Sequence, residues 1–394
     1  MSLSLPRRSS ARAALVLLAA SALALTACSS PASDPASTIA ATDAELPPGA
    51  VELVDAAYAG TSTALPEAAP PVSDGHDVWV ISAFQQVSGL AQIASEVQAA
   101  ADKIGWDSNV CDGQNNANGA WATCIRQAVA AGADALVLAG VDCAPVRQAL
   151  IEAREAGVAV AGVSSFDCSD PTQGGSEPLF DTGVQYGDQF EDTADFFTRV
   201  GQLRADYIAT QTGGEARILH VEFAGVSIGE YISDGFTEEI ANCPGCEIVG
   251  TVTITPADLP QLRQMFETGL LEAGDVDAIS VDLDFMLTLG VQPALVSAGL
   301  EDTLVLGGEC VIETLDYMRA GGGVNACIGF SNGRASWSAV DQLNRFFNGE
   351  EPVKDGIGWQ ILDASNQDAW PAEGDPYDDS VDYRAGYAEL WSQG

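Results

Sequence analysis

Polar and aromatic side chains follow two buried apolar runs near the middle of the chain. Gly140–Cys143 follows the run Ala135–Ala139, and Ser164–Phe166 follows the run Val158–Val163. Hydroxyl groups at such positions hold a ligand by hydrogen bonds, and an aromatic ring covers an apolar surface. These residue types therefore predict that a small molecule binds at the ends of the two runs.

Residues suited to catalysis are scarce in this chain. It has only two histidines, His76 and His220, so a general base is hard to place. Gly321–Gly323 follows a predicted helix and is interpreted as its end, not as a loop that cradles phosphate. We therefore predict no catalytic residues, no cofactor and no enzymatic activity.

Eight of the nine cysteines fall into neighbouring pairs along the chain. The pairs are Cys111/Cys124, Cys143/Cys168, Cys243/Cys246 and Cys310/Cys327. Many other pairings are possible, so sequence order alone leaves the connectivity open. A zinc site is one alternative, but its usual histidine partners are scarce. A redox motif is another alternative for Cys243 and Cys246, which have the spacing of such a motif. We favour structural disulfides and predict no metal.

A repeating strand–helix–strand pattern positions these residues. Between the two apolar runs, apolar side chains recur at i, i+3, i+4 and i+7 from Val146, the spacing of a buried helix face. Two buried strands joined by such a helix lie parallel, and ligands bind beyond their carboxyl ends. Further units begin at Asp77 and at Arg217. We predict an α/β fold of two doubly wound parallel-sheet lobes.

The charge of the chain excludes whole classes of partner. The sequence has 16 basic and 56 acidic residues, a formal net charge of −40 at pH 7. A surface this acidic repels nucleic acid and anionic membrane surfaces. We therefore predict no nucleic-acid partner and no membrane contact other than through a lipid anchor.

Residues 1–27 have the features of a lipoprotein signal peptide. Arg7, Arg8 and Arg12 precede the apolar stretch Ala13–Leu25, which is too short to span a bilayer. The sequence Leu25-Thr26-Ala27-Cys28 resembles a bacterial lipobox, in which the cysteine becomes the lipidated first residue. An ordinary signal peptide cut near Ala27 is the alternative. We predict an exported protein held by lipid on the outer face of the cell membrane.

Two terminal segments differ in composition from the body. Residues 28–75 are rich in Ala, Ser, Thr, Pro and Asp, which predicts a flexible tether after the lipidated cysteine, with Val51–Tyr58 lying against the body. Residues 364–394 form an acidic, aromatic tail. We expect Tyr383, Tyr387, Leu390 and Trp391 to share a helix face that docks on a lobe.

Several stretches between residues 77 and 363 together resemble a known family. They are Ala101–Trp106 (ADKIGW), Asp112–Asn116 (DGQNN), Gly132–Asp142 (GADALVLAGVD), Glu152–Val160 (EAREAGVAV), Gly235-Phe236, the turn at Asp284 with Gly290, and Gly307–Glu309. In this order and spacing they resemble the type I periplasmic sugar-binding proteins, especially the ribose-binding type, which are extracytoplasmic receptors of ABC importers.

The resemblance implies two lobes joined by three crossovers, with a ligand in the cleft between them. Lobe 1 is then residues 76–182 plus 332–354, and lobe 2 is residues 183–331 plus 355–363. Lobe closure would present a small, carbohydrate-like ligand to an ABC transporter permease, and we expect a monomer. A receptor of the same fold coupled to a signalling protein is the alternative. The four neighbouring cysteine pairs fit this fold as disulfides.

The resemblance also implies ligand contacts, with departures from the ribose type. Phe84 and Gln85 lie in the first loop. Ser164 and Ser165, followed by Phe166, stand where the ribose type has an Asp-Arg pair. Ile232, with Tyr231 beside it, stands where the family often has an arginine. Two charged donors are therefore missing.

Two acids and one aromatic residue complete the predicted site. Asp284 and Glu309 match an Asn and an Asp that contact ligand in the family, although both could instead cap helices. Phe330 stands where the family often has Gln or Asn. Asp112 and Asp142 are interpreted as turn or cap residues. The site is more acidic and more apolar than a ribose pocket. We expect a neutral polyol, a sugar with apolar edges, or an amine-bearing ligand.

Overall fold

The structure, a computed structural model, describes residues 45–300 and 303–393; Cys28 and the predicted signal peptide lie outside this part. The strands are β1 (Asp77–Ser82), β2 (Asp107–Asp112), β3 (Ala135–Ala139), β4 (Ala159–Val163), β5 (Thr182–Gly183), β6 (Glu215–Phe223), β7 (Gly245–Ile254), β8 (Ala278–Val281), β9 (Leu304–Leu306), β10 (Ala326–Gly329) and β11 (Gln360–Asp363). The α-helices are α1 (Ala50–Ala59), α2 (Ser88–Lys103), α3 (Ala120–Ala131), α4 (Arg147–Glu155), α5 (Thr193–Gln211), α6 (Ser227–Ile240), α7 (Leu262–Ala273), α8 (Asp284–Met286), α9 (Gln292–Ala298), α10 (Ile312–Arg319), α11 (Asn332–Phe347) and α12 (Tyr383–Gln393).

Two sheets organise the described chain. The first has the strand order β2-β1-β3-β4-β5 and is parallel throughout. The second has the order β11-β10-β9-β8-β6-β7 and is parallel except for β11, which pairs antiparallel with β10. All residues of β3 and β4 are buried, as expected for parallel strands covered by helices on both faces. The predicted two-lobed α/β architecture is confirmed.

The chain passes between the lobes three times. The passages lie between β5 and α5, between β10 and α11, and between α11 and β11, because α11 packs on α2, β4 and β5 of lobe 1. The residue-level lobe boundaries stay a prediction. Helix α5 begins at Thr193, because the Asp192 carboxylate accepts the Asp195 N–H and caps the helix there.

The prediction of a flexible tether is wrong for its described part, residues 45–75. Helix α1, which includes the predicted segment Val51–Tyr58, packs on α5 and β11 with Val54 and Ala57 buried. Beyond it, Thr61 N–H donates to Trp359 O at 2.9 Å, and Ser73 N–H donates to Asn344 Oδ1 at 2.9 Å. The segment is held because it supplies partners to buried polar groups of the body. The rest of the predicted tether, residues 28–44, lies outside the described residues.

The acidic tail is bound to both lobes. Its first half contacts lobe 2, where Tyr377 N–H donates to Cys310 O at 3.0 Å. Its second half contacts lobe 1: Trp391 stacks on Trp337 of α11 with ring centroids 5.5 Å apart, and its indole N–H donates to Asp341 at 2.7 Å. Arg334 and Asp379 form a fully buried ion pair at 2.8 Å. The helix face predicted to dock is the face that docks.

Four disulfides join the eight described cysteines, in the neighbouring pairs expected from the sequence. The bonded pairs are Cys111–Cys124, Cys143–Cys168, Cys243–Cys246 and Cys310–Cys327, with Cα–Cα distances of 5.7, 5.0, 5.3 and 5.3 Å. Each closes a loop within one lobe. Within the part of the chain that the structure describes, no helix combines the length and apolar character required to cross a bilayer.

The positions of Cys124 and Cys327 show that these bonds are structural. Cys124 lies on the inner face of α3 and is 3% exposed, and its bond ties that helix to the end of β2 at Cys111. Cys327 lies within β10, one residue after its start, and is fully buried; its bond ties the strand to Cys310 in the loop after β9. Both bonds hold elements of a single sheet together.

Replacing Trp391 should destabilise lobe 1. Trp391→Ala removes a buried stacked ring and leaves the Asp341 carboxylate without its indole donor. We expect the free energy of unfolding to fall by about 3 kcal/mol. Urea unfolding followed by circular dichroism measures this change. Glu389→Ala, an exposed position on the same helix, is the matched control. Equal losses in the two variants would contradict the proposed docking.

Candidate functional site

A cavity lies between the two lobes, beyond the carboxyl ends of both sheets. Lobe 1 contributes the loop after β1, the first turns of α2 and the start of α3, and lobe 2 contributes the ends of β6 and β8 and the loop after β9. The space measures roughly 790 Å³ when its open mouth is included. Parallel topology explains this location, because the carboxyl ends of parallel strands share one edge of the sheet.

The cavity walls are mostly apolar. From lobe 1, Leu90, Ile93 and Trp121 face the space; Trp121 is oriented by its indole N–H, which donates to Ala83 O at 3.0 Å. From lobe 2, Phe223 and Phe285 face it with their rings edge to face, 4.9 Å between centroids. Such walls bind apolar ligand surface and leave few partners for hydroxyl groups.

Four of the nine predicted ligand contacts lie at the cavity wall. They are Phe84, Ser164, Glu309 and Phe330. Ser164 has a left-handed backbone, φ 49°, which is uncommon for a residue other than glycine. Phe330 is nearly buried and lies in the second passage between the lobes. Contact between these side chains and a ligand stays a prediction.

Three predicted contacts lie away from the wall because they hold their own lobe together. The Ser165 hydroxyl accepts the Val141 N–H at 3.0 Å, joining the ends of β3 and β4. Asp284 is buried and accepts the Gly308 N–H at 2.6 Å, joining the loops after β8 and β9. Gln85 is tied through its backbone N–H to Asp112.

The other two predicted contacts, Phe166 and Tyr231, pack against each other instead of lining the cavity. Their rings are 5.2 Å apart, and they join a loop of lobe 1 to α6 of lobe 2. The Tyr231 hydroxyl donates to Asp170 of lobe 1 at 2.9 Å. Both residues therefore contribute to the contact between lobes.

The disulfide cysteines take no part in the wall of the cavity. Cys310 is the nearest to it along the chain, directly after Glu309, but it is fully buried. The Cys124 sulfur faces the core of lobe 1 with Ile125 and Ala128. Cys327 packs with Leu315 and Leu362 in a small core beneath the tail of the chain. No cysteine is among the described residues that line the cavity, so the bonds support the site without contacting a ligand.

A buried acidic pair lies on the lobe 2 side of the cavity. Glu309 Oε2 accepts the Asp284 N–H at 3.0 Å. Burial, followed by repulsion from the Asp284 carboxylate, raises the pKa of Glu309 to about 7. Burial also raises the pKa of Asp284. Arg204 lies beneath the pair but donates to the Gly307 and Leu306 carbonyls and to Ser280. The Arg204 guanidinium therefore donates its hydrogen bonds to backbone carbonyls and a serine hydroxyl, and not to the two carboxylates.

Glu309 and Asn332 converge on one point of the cavity. A methyl group placed on Gly89 of α2 would lie 3.4 Å from Asn332 Nδ2 and 3.5 Å from Glu309 Oε1. Glycine at this position therefore leaves room between a carboxylate of lobe 2 and an amide at the start of α11. Asn332 was not predicted as a contact, although it stands two residues after Phe330.

Hydrogen bonds between the lobes surround the cavity. The Asp142 carboxylate accepts the Ser227 N–H at 3.0 Å, and Gln173 Nε2 donates to the Ser227 hydroxyl at 2.7 Å. Asn115 Nδ2 donates to Pro256 O at 3.1 Å, and the Ser88 hydroxyl donates to Glu313 at 2.8 Å. Asp142 is a cap residue, as interpreted from the sequence, but it caps a helix of the opposite lobe.

Sequence reasoning missed most of the apolar wall. Trp121, Phe223, Leu283 and Phe285 all face the cavity. One signal was available: Phe223 and Leu283 lie at the carboxyl ends of strands, the same positional rule that indicated the serines. The sequence did not single out the apolar residues there, because composition does not distinguish a core from an apolar pocket.

Residues 79–351 match the family model described as "Periplasmic binding protein domain". The chain belongs to this family. The match covers most of the chain, and it confirms the resemblance to type I periplasmic binding proteins. No curated protein sequence matches the chain significantly.

Solved structures with the same fold support this assignment. The arabinose ABC transporter binding component of Shewanella sp. ANA-3, bound to L-arabinofuranose, has a TM-score of 0.60 at 21% identity and covers 80% of this chain and 96% of its own. The Caulobacter myo-inositol binding protein has a TM-score of 0.62 at 20% identity, covering 75% and 96%. A D-allose-bound solute-binding protein of Actinobacillus succinogenes 130z has 0.62 at 17%, covering 76% and 100%. At these identities the likeness shows the fold alone.

The raised pKa of Glu309 should make stability depend on pH. The folded protein keeps a proton on Glu309 up to about pH 7, whereas the unfolded chain loses it near 4.5. The free energy of unfolding should therefore fall as pH rises between these values. Replacing the carboxyl group in Glu309→Gln should make the fall smaller.

Chemical unfolding at pH 4.5, 5.5, 6.5 and 7.5 measures the slope. Burial also raises the pKa values of Asp142 and Asp355 to about 6, but they contribute equally to both proteins. Glu238→Gln, at an exposed position on α6 of the same lobe, should keep the wild-type slope. An unchanged slope in Glu309→Gln would contradict the assignment.

Proposed function

We propose that the protein is an extracytoplasmic solute-binding receptor. It captures a small ligand between two closing lobes and delivers it, as a monomer, to an ABC import permease. Membership of the periplasmic binding protein family supports this function. Three solved neighbours hold sugars or a cyclic polyol as bound ligands, which supports a solute of comparable size.

The observation that carries the proposal is the position of the cavity. Its lining comes from both lobes and from the passage at Phe330 and Asn332, so no single lobe forms a complete site. Polar contacts between lobes, such as Asn115 to Pro256, can form only when the lobes are together. A ligand that fills the space stabilises the closed form, and the closed form is a shape a permease can recognise.

The cleft chemistry favours binding over catalysis. Gly225–Gly229 has the GxSxG spacing of a hydrolase nucleophile turn, which the sequence reasoning overlooked. The structure gives its serine another use, because the Ser227 hydroxyl accepts a hydrogen bond from Gln173. His220 is buried and bonded to Asp282 at 2.9 Å, and His76 stacks on Phe347. Neither histidine is among the described residues that line the cavity.

Ligand carried through purification tests the function directly. Native mass spectrometry of the mature protein should show a small bound molecule that is lost on unfolding and refolding. Adding it back should reduce the radius of gyration measured by small-angle X-ray scattering. A radius that stays constant while the ligand binds would contradict the closing receptor.

Closure should weaken when Ser227 is replaced. Ser227→Ala removes the hydroxyl that accepts from Gln173 and lies 2.6 Å from the Thr172 hydroxyl, both in lobe 1. Each hydrogen bond contributes about 1 kcal/mol, so the ratio of closed to open protein should fall roughly fivefold for each bond lost. Fluorescence energy transfer between dyes on the two lobes measures it. Ser297→Ala, whose hydroxyl bonds within its own helix, should change nothing.

Anchoring should depend on Cys28. Cys28→Ser prevents lipid attachment, and we expect the protein to move from the membrane fraction to the soluble fraction or the medium. Immunoblots of fractionated cells measure the shift, and Ser29→Ala is the neighbouring control. Membrane retention of Cys28→Ser equal to wild type would instead support the alternative of an ordinary signal peptide with another mode of attachment.

A further inference from the structure

We propose that the cleft selects a compact, mainly apolar molecule that carries one ammonium group, which Glu309 receives, rather than a carbohydrate. The inference rests on the proposed receptor function and specifies its ligand class. It comes from the cavity lining, which differs from what a polyhydroxylated ligand requires.

Hydroxyl groups of a sugar would find few side-chain partners. Only four of the described lining residues have polar side chains: Asn115, Ser164, Glu309 and Asn332. The Asn115 amide already donates to Pro256 O across the cleft. A buried hydroxyl without a hydrogen bond is costly, and a pyranose or furanose has several. The wall therefore disfavours sugars by desolvation.

Aromatic and aliphatic side chains instead offer a continuous apolar surface. Phe84, Trp121, Phe223, Phe285 and Phe330 come from both lobes and from the passage between them. Their positions let an apolar body contact aromatic rings on several sides once the lobes close. Burial of apolar area is the main source of affinity in such a pocket.

The polar end of the cavity is suited to a cation. Glu309 lies at the wall, and no Lys, Arg or His is among the described lining residues. Arg204, the nearest buried cation, donates to backbone carbonyls and to Ser280. An ammonium can donate to the Glu309 carboxylate, whereas an anion would meet the acidic pair. The raised pKa of Glu309 is consistent with a carboxylate that lacks its counter-ion.

Three probes of one shape separate charge from apolar contact. They are 2-phenylethylamine, neutral 2-phenylethanol and anionic 3-phenylpropionate, compared with L-arabinose, D-allose and myo-inositol. Calorimetric titration of the mature chain, refolded to remove carried ligand, should give the amine at least tenfold tighter binding than the alcohol and weaker binding still for the carboxylate and the sugars. Glu309→Gln should reduce the amine preference at least tenfold while alcohol binding persists, which shows that the variant is folded. Glu238→Gln, away from the cavity, should keep the preference.

The outcomes distinguish a wrong ligand class from a failure of the proposed receptor function. Tighter binding of any of the three sugars or polyols than of the amine would overturn the ligand class and leave the receptor function standing. An amine preference that survives Glu309→Gln would overturn the role of Glu309. If neither the probes nor the sugars bind, and no ligand is carried through purification, the receptor function itself fails.

Discussion

A buried guanidinium fixes the part of lobe 2 on which the cleft depends. Arg204, on α5, donates to the carbonyls of Leu306 and Gly307 and to Ser280 of β8. It thereby holds the ends of β8 and β9 side by side, and the loops that follow carry Asp284 and Glu309. Burial lowers the pKa of Arg204, and the nearby carboxylates oppose that shift. A buried cation is tolerated because carbonyls and acids surround it, so the acids are needed for the fold.

The ends of the strands were predictable, because a run of buried apolar residues marks a strand without knowledge of its neighbours in the sheet. The direction of each side chain beyond a strand end was not predictable. Ser164 faces the cavity while Ser165 joins two strands, and Phe285 faces the cavity while Asp284 joins two loops. Adjacent residues in the loops and turns after the strands direct their side chains differently, so a one-residue difference decides between pocket and interior. Sequence alone identified the correct edge of each sheet, and it could not select which of two adjacent side chains lines the cleft.

Helix α11 explains why the sequence did not reveal that the N-terminal segment is ordered against the body of the protein. Its apolar face was evident from the spacing of Trp337, Val340 and Leu343. Its other face is polar, which usually indicates solvent, yet Arg334 and Asn344 are buried. Arg334 donates to Thr63 O from the N-terminal segment and to Asp379 of the tail. The proline-rich and acidic segments are ordered because they satisfy this face, a pairing over roughly 270 residues that local pattern cannot reveal.

The tail restrains the lobes at the hinge and not at the mouth. Two of its contacts lie at the second passage: Ser331 donates to Asp378 at 2.7 Å, and the Tyr377 ring packs against Gly329 closely enough to exclude any Cβ there. The hydrogen bonds of Asn115 and Gln173 across the cleft involve no tail residue. Rotation about the hinge changes distances least near its axis, so opening can break the mouth contacts while the tail stays bound to both lobes. The terminal segments thus stabilise the hinge, and the cleft contacts together with the ligand decide whether the lobes are open or closed.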